Sequence, residues 1–151
     1  MVLSIAEILT PALIELDLKS DNETTAIREV AGMLDENPSM IDAAKFYDDV
    51  VSREKACATA MGNGVAFPHA RTAAVNQIVM AIGRSQKGIR FEQCGQTVHL
   101  ILLIGTPVEM VREYLGLVGK LARRLKQEHV RQQLMQAATS QEFLSALATE
   151  A

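Results

Sequence analysis

The 151 residues carry a formal net charge of −3, with 48% apolar residues, only 4% aromatic residues and no Trp. A chain of this length buries roughly two thirds of its unfolded surface, so one core of Leu, Ile, Val, Ala and Met is expected, with residues 1–151 forming a single domain. The acidic balance argues against a general nucleic-acid or anionic-membrane binder, which needs a field that attracts phosphate.

The stretch from Val2 to Leu18 is broken by Glu7, Pro11, Glu15 and Asp17 and has no basic leader. Neither a signal peptide nor a membrane span is expected there, and the protein is expected to be cytoplasmic. Ile5, Ile8 and Leu9 predict a short helix ended by Pro11, and Leu13 to Leu18 alternates like a half-buried strand. Ser20 and Glu23 have capping-box spacing before a helix with Ile27, Val30, Ala31 and Leu34 inward, ended by Asn37-Pro38. Ser39 is expected to start a second helix, with Ile41, Ala44, Tyr47 and Val51 on its buried face and its end near Arg53.

Periodicity then changes to short extended runs at about Ala56 to Ala60, Val65 to Phe67, Ile78 to Arg84 and Val98 to Ile104. The last run is almost wholly apolar and suits a central strand covered on both faces. Thr106-Pro107-Val108-Glu109 combines an N-cap, a first-turn proline and a capping-box Glu, predicting a long helix with Val111, Leu115, Val118, Ala122 and Leu125 inward. A further helix carries Val130, Leu134 and Ala138, and Thr139 with Glu142 caps a last one holding Phe143, Leu144 and Leu147. The expected fold is α/β, a small mixed sheet flanked by helices on both faces. The basic run Lys120, Arg123, Arg124, Lys126 and Arg131 reads as a solvated helix face, with steering of an acidic partner as the alternative.

Between two apolar runs lies Met61-Gly62-Asn63-Gly64-Val65-Ala66-Phe67-Pro68-His69-Ala70-Arg71. Gly62 and Gly64 permit left-handed dihedrals that bring backbone N–H groups close to an anion. Pro68 fixes its own φ and holds Phe67 extended, so the His69 imidazole leaves the strand end in a defined direction. A neutral imidazole is a good nucleophile near neutral pH. From these residues alone, Asn-Gly is a common turn pair and a lone loop histidine is more often a surface or satisfied polar residue than a nucleophile.

The sequence resembles the fructose/mannitol-type enzyme IIA domain of the phosphoenolpyruvate-dependent phosphotransferase system, a family that includes the nitrogen-regulatory IIA proteins. The resemblance covers nearly the whole chain. It rests on Arg53-Glu54, Thr59, and Gly62 through Arg71, with Gly88-Ile89-Arg90-Phe91, the Val98 to Ile104 run and Pro107 following in the family order. It implies that His69 is phosphorylated by the histidine-containing phosphocarrier protein or a nitrogen-branch paralogue. His69 would then pass the phosphate to a IIB domain or signal to a regulatory target protein. Arg53 would lie near the phosphohistidine, and Thr59, Gly62, Asn63 and Gly64 would support the phosphate. The family usually carries a second active-site histidine early in the helix after the last strand; here Tyr114 falls at that position, and a phenol cannot carry a positive charge. No cofactor and no metal are implied, and a short free-standing IIA chain is compatible with signalling.

Three competing readings set the frame. A degenerate site would leave a phosphorylation-independent regulatory binding module. A hydrolase using Cys57 and His69 lacks an orienting third group. A metal centre from His69, His99, Cys57 and Cys94 lacks ligand spacing, and both thiols are expected to be reduced. His99 reads as a hydrogen-bonded sheet histidine, His129 as a solvated helix residue, and Arg71 as a solvated flank of the motif.

Overall fold

The most apolar run of the sequence lies at the centre of the sheet. A computed structural model describes residues 4–56, 62–92 and 94–149. Five strands form the sheet: β1 (Ile14–Glu15), β2 (Val65–Ala66), β3 (His69–Arg71), β4 (Val79–Phe91) and β5 (Gln96–Thr106). Their order is β1-β4-β5-β2, with β3 also on β5; β4 and β5 are antiparallel, and the remaining pairs are parallel. Side chains of a strand alternate between faces, so Leu100, Leu102 and Ile104 enter one core cluster while Ile101 and Leu103 enter the other. Both faces are dry, which is why this strand has no polar alternation.

Six helices among the described residues cover the two faces: α1 (Ile5–Ile8), α2 (Glu23–Gly32), α3 (Ala43–Ala56), α4 (Val111–Leu125), α5 (Glu128–Gln136) and α6 (Ser140–Ala148). Ile27, Val30, Phe46 and Val50 of α2 and α3 pack on one side, while Leu117, Leu121, Val130, Leu134, Phe143 and Leu147 of α4 to α6 pack on the other. The predicted mixed sheet with helices on both faces is the observed architecture.

Several local expectations are corrected. The α2 cap is Asn22, whose side chain accepts from Thr25 N–H at 2.9 Å, whereas Ser20 donates its hydroxyl to Glu29 at 2.7 Å. Asn22 wins because a cap must immediately precede the first helical residue, here Glu23. The Leu13 to Leu18 strand is only Ile14–Glu15, preceded by a 3-10 turn at Pro11–Leu13. The second helix starts at Ala43, not Ser39, with Asp42 accepting from Lys45 N–H, and it continues beyond Arg53 to Ala56. Its buried line is Phe46, Val50 and Glu54, and Ile41 is exposed. The Phe46 ring fixes this rotation, because it lies over Gly105 of β5, where any Cβ would overlap it. Of the predicted run Ala56 to Ala60, Ala56 ends α3 and the rest lies outside the described residues.

Thr106 does not cap a helix. It ends β5 and donates its hydroxyl to Pro107 O, and a 3-10 turn at Val108–Met110 precedes α4. In α4 the inward residues are Tyr114, Leu117, Leu121 and Leu125, so Leu115 is turned out. Ala137 rather than Ala138 is buried after α5. The predicted cap of α6 is present, with Glu142 N–H on Thr139 Oγ1 and Ala138 N–H on the Glu142 carboxylate. The basic run is partly structural, since Arg131 donates to the last carbonyls of α4 at Leu125 and Lys126, and Arg124 to Ala146 O. Arg84, buried in β4, donates to the carbonyls of Leu16, Leu134 and Ala137 and ties the sheet to the α5–α6 junction.

Candidate functional site

His69 opens β3, and the break before it determines where its ring points. Val65 and Ala66 pair with Leu100 and Ile101 of β5, and pairing resumes with His69 opposite Ile104. Between them Ile104 N–H donates to Pro68 O, while Phe67 O accepts from the His69 ring at 2.9 Å. A carbonyl can only accept, so this contact requires the proton on Nδ1. The other nitrogen, Nε2, then keeps its lone pair and accepts from Arg53 Nε–H at 3.3 Å. A guanidinium can only donate, so both contacts select the same neutral tautomer.

Arg53 reaches this point from the last turn of α3. Tyr114 arrives from the first turn of α4, with its ring centroid 5.7 Å from that of His69 and the planes inclined by 35°. Burial pushes the Tyr114 phenol above its ordinary value of 10.0, and the positive charge of Arg53 opposes this. The phenol is therefore a neutral donor at physiological pH. The three side chains border a cleft of about 640 Å³. Lys45 and Arg71 also line it, as do the apolar Val108 and Leu115, which are 50% and 61% exposed.

The structure thus brings His69, Arg53 and Tyr114 together, and does not bring the glycine turn into the cleft. Gly62, Asn63 and Gly64 have φ of 83°, 59° and 78°, three consecutive left-handed residues. Gly62 N–H is taken by Gln96 Oε1, and Gly64 O accepts from His99 and Leu100 N–H, so the turn is tied to β5. None of the three lines the cleft. Thr59 and Cys57 lie outside the described residues. His99 is half-buried with Nδ1 on Ser85 O, and His129 is exposed. Cys94 is a free thiol with Sγ on Phe91 O. Among the described residues no cluster of three or more His, Cys, Asp or Glu could hold a metal ion, and no helix is long and apolar enough to cross a membrane.

Lys45, Asp49, Thr72 and Val108 also line the cleft, although none was expected in the site from the sequence. A signal was available, because Lys45, Asp49 and Arg53 recur every four residues and must share one face of a helix. The apolar periodicity of that helix carries no information about this charged face.

Residues 7–150 match the family model described as "Phosphoenolpyruvate-dependent sugar phosphotransferase system, EIIA 2". The nitrogen regulatory protein IIA-Ntr of Neisseria meningitidis has a solved structure that matches with a TM-score of 0.87 and 31% identity, covering 95% of this chain and 98% of that one. The fructose-specific EIIABC component of Bacillus subtilis is 32% identical over 136 residues, 89% of this chain but 21% of its own length, so the chain spans about a fifth of that relative. A nitrogen regulatory protein of Pseudomonas aeruginosa is 25% identical over 93% of this chain and 92% of its own. On a model match that runs almost from end to end, the chain belongs to the EIIA type 2 family of the phosphotransferase system and has a phosphocarrier or regulatory role within it.

Proposed function

We propose that the protein is a phosphohistidine carrier whose acceptor atom is His69 Nε2. The observation that carries this reading is the pair of contacts on one imidazole, with Nδ1–H on Phe67 O and the Nε2 lone pair facing Arg53 across an open cleft. The Nε2 lone pair attacks phosphorus, the N–P bond to the donor's imidazole breaks, and that nitrogen regains its electron pair. No proton leaves Nε2, because none is there, so the step needs no general base. Positive charge that develops on the accepting ring is stabilised by the Phe67 carbonyl at Nδ1–H. Arg53 exchanges Nε2 for the phosphoryl oxygens and neutralises their charge. The Tyr114 hydroxyl donates to one of them in place of the histidine usual in the family. Gly62, Asn63 and Gly64 support the segment leading to His69.

The donor is the histidine-containing phosphocarrier protein or a nitrogen-branch paralogue, docked on the apolar rim of Val108 and Leu115. The acceptor is a IIB domain or a regulatory target that reads the phosphorylation state. Likeness to IIA-Ntr along its full length favours the regulatory role, with sugar transport as the alternative. The substitution at Tyr114 supports a second reading, a binding module whose site no longer takes phosphate. Incubation with phosphoenolpyruvate and the general phosphotransferase proteins separates the two. The carrier reading requires an acid-labile phosphate on the wild type and none on His69→Ala; a labelled His69→Ala variant overturns it. An unlabelled wild type whose target binding is unaltered by His69→Asp establishes the binding module.

A further inference from the structure

We propose that Asp49 is a positioning residue which, through Thr72, fastens α3 to the strand carrying His69 and so aims Arg53 during phosphoryl transfer. The inference rests on the reading of His69 as the acceptor. Thr72 follows β3 directly and is 3% exposed. Its N–H donates to Thr106 O, which extends the β3–β5 pairing and fixes it to the sheet. Its hydroxyl oxygen accepts from Ala74 N–H at 3.0 Å, so its own proton is directed to Asp49 Oδ2, 2.5 Å away. Lys45 Nζ donates to the same carboxylate oxygen at 3.2 Å.

Two ties therefore hold α3 against this edge of the sheet, Asp49 to Thr72 and Arg53 to His69. Asp49 and Arg53 are one helical turn apart, about 6 Å along the axis, while His69 and Thr72 are about 10 Å apart along an extended chain. The functional difference between the ties lies in what happens when phosphate arrives. The lone pair that Arg53 holds is the one that a phosphoryl group takes, so the Arg53–His69 tie must open in the reaction. The Asp49–Thr72 tie uses no reacting atom and stays closed. It keeps the helix in place while the guanidinium moves from nitrogen to phosphoryl oxygen. Asp49 also faces the cleft where an anion arrives, and donation from both Thr72 and Lys45 draws its charge away from that space.

The test measures kcat/KM for phosphate acceptance from the phosphorylated phosphocarrier protein. Thr72→Val and Asp49→Ala are each expected to lower it about tenfold, the loss of one hydrogen bond to a charged group. Thr72→Ser, which restores the hydroxyl, returns the rate to within a factor of about two. In an Arg53→Ala background, Thr72→Val should change the rate no further, because the residue it positions is gone. The same tenfold loss in both backgrounds would make the tie a general structural element and overturn the assignment. Asp49→Ala, at a partly exposed position, gives this answer even if Thr72→Val fails to fold. A wild type that labels alongside a Thr72→Val and an Asp49→Ala that keep its full rate overturns this inference alone. A wild type that takes no phosphate overturns the carrier reading as well.

Discussion

The Arg53 guanidinium covers the one lone pair of His69 that a phosphoryl group would use, with its Nε 3.3 Å from Nε2. On the proposed mechanism the cation masks the nucleophile in the resting protein and shifts a short way to the oxygens once phosphate arrives. Arg53→Ala is therefore expected to lower kcat/KM for phosphate acceptance by about a hundredfold, the loss of charge-assisted contacts in the transition state. Arg53→Lys recovers part of this, since an ammonium group supplies charge without the planar fork. Arg53 is exposed on a helix, so the unfolding midpoint should not move. A rapid-quench measurement that finds Arg53→Ala within twofold of wild type would take the residue out of the mechanism.

Tyr114→Phe keeps the ring against His69 and removes only the hydroxyl. The expected loss is about fivefold in acceptance rate, one neutral hydrogen bond, with no loss of fold. Because burial raises the phenol's pKa, wild type and variant should differ by the same factor across neutral and mildly alkaline pH. A gap that closes as pH rises through neutrality would assign the effect to another group.

The parts of this arrangement that sequence exposes are those with strong local grammar. The Gly-Asn-Gly bend, the Pro-His pair and the even apolar run of β5 each follow from one dominant constraint, namely left-handed dihedrals, a fixed φ, or burial on two faces. The pairing of Arg53 with His69 came only from family likeness, since nothing local brings residues 53 and 69 together. The rotation of α3 and α4 differs from the expected one for a shared reason. Both helices offer two apolar stripes about 100° apart, and the choice is made by a distant partner, the Phe46 ring over Gly105 in one case and Tyr114 against His69 in the other. Leu115, thereby turned out, and Ile41, which precedes α3, are with Val108 the large exposed apolar residues among the described ones. The Asp49–Thr72 contact was invisible because each of its members is an ordinary surface residue type on its own.

At the start of α2 the Glu23 carboxyl meets that of Glu54 in α3. Burial pushes Glu23 from its ordinary 4.5 to about 7, aided by its hydrogen bond to Glu54 and by the charges of Glu54 and Glu92, against the lowering effect of Glu92 N–H. The folded protein thus holds a proton that the unfolded chain releases above about pH 4.5. Its stabilising contribution is full below that value and is lost as pH rises towards 7. Glu23→Gln removes the dependence, with a gain of about 1 kcal/mol at mildly alkaline pH once solvent screening of this partly exposed group is counted, and none at acid pH. Urea midpoints at the two pH values check this; an equal difference at both would contradict it.

Arg84→Met fills similar space but leaves the carbonyls of Leu16, Leu134 and Ala137 without their donor. A loss of about 3 kcal/mol is expected from urea denaturation, since the buried carbonyls of Leu134 and Ala137 lose a charged donor. A change below about 1 kcal/mol would mean that water reaches the site.

The central claim concerns one atom, and the phosphorylated protein itself can be asked which atom that is. Nitrogen-15 NMR of selectively labelled histidine, recorded before and after phosphorylation under alkaline conditions that preserve the phosphoramidate, assigns the bonded nitrogen. The account predicts phosphate on Nε2 of His69, with the proton retained on Nδ1 and still bonded to Phe67 O. Phosphate on Nδ1, or on His99 or His129, would contradict it.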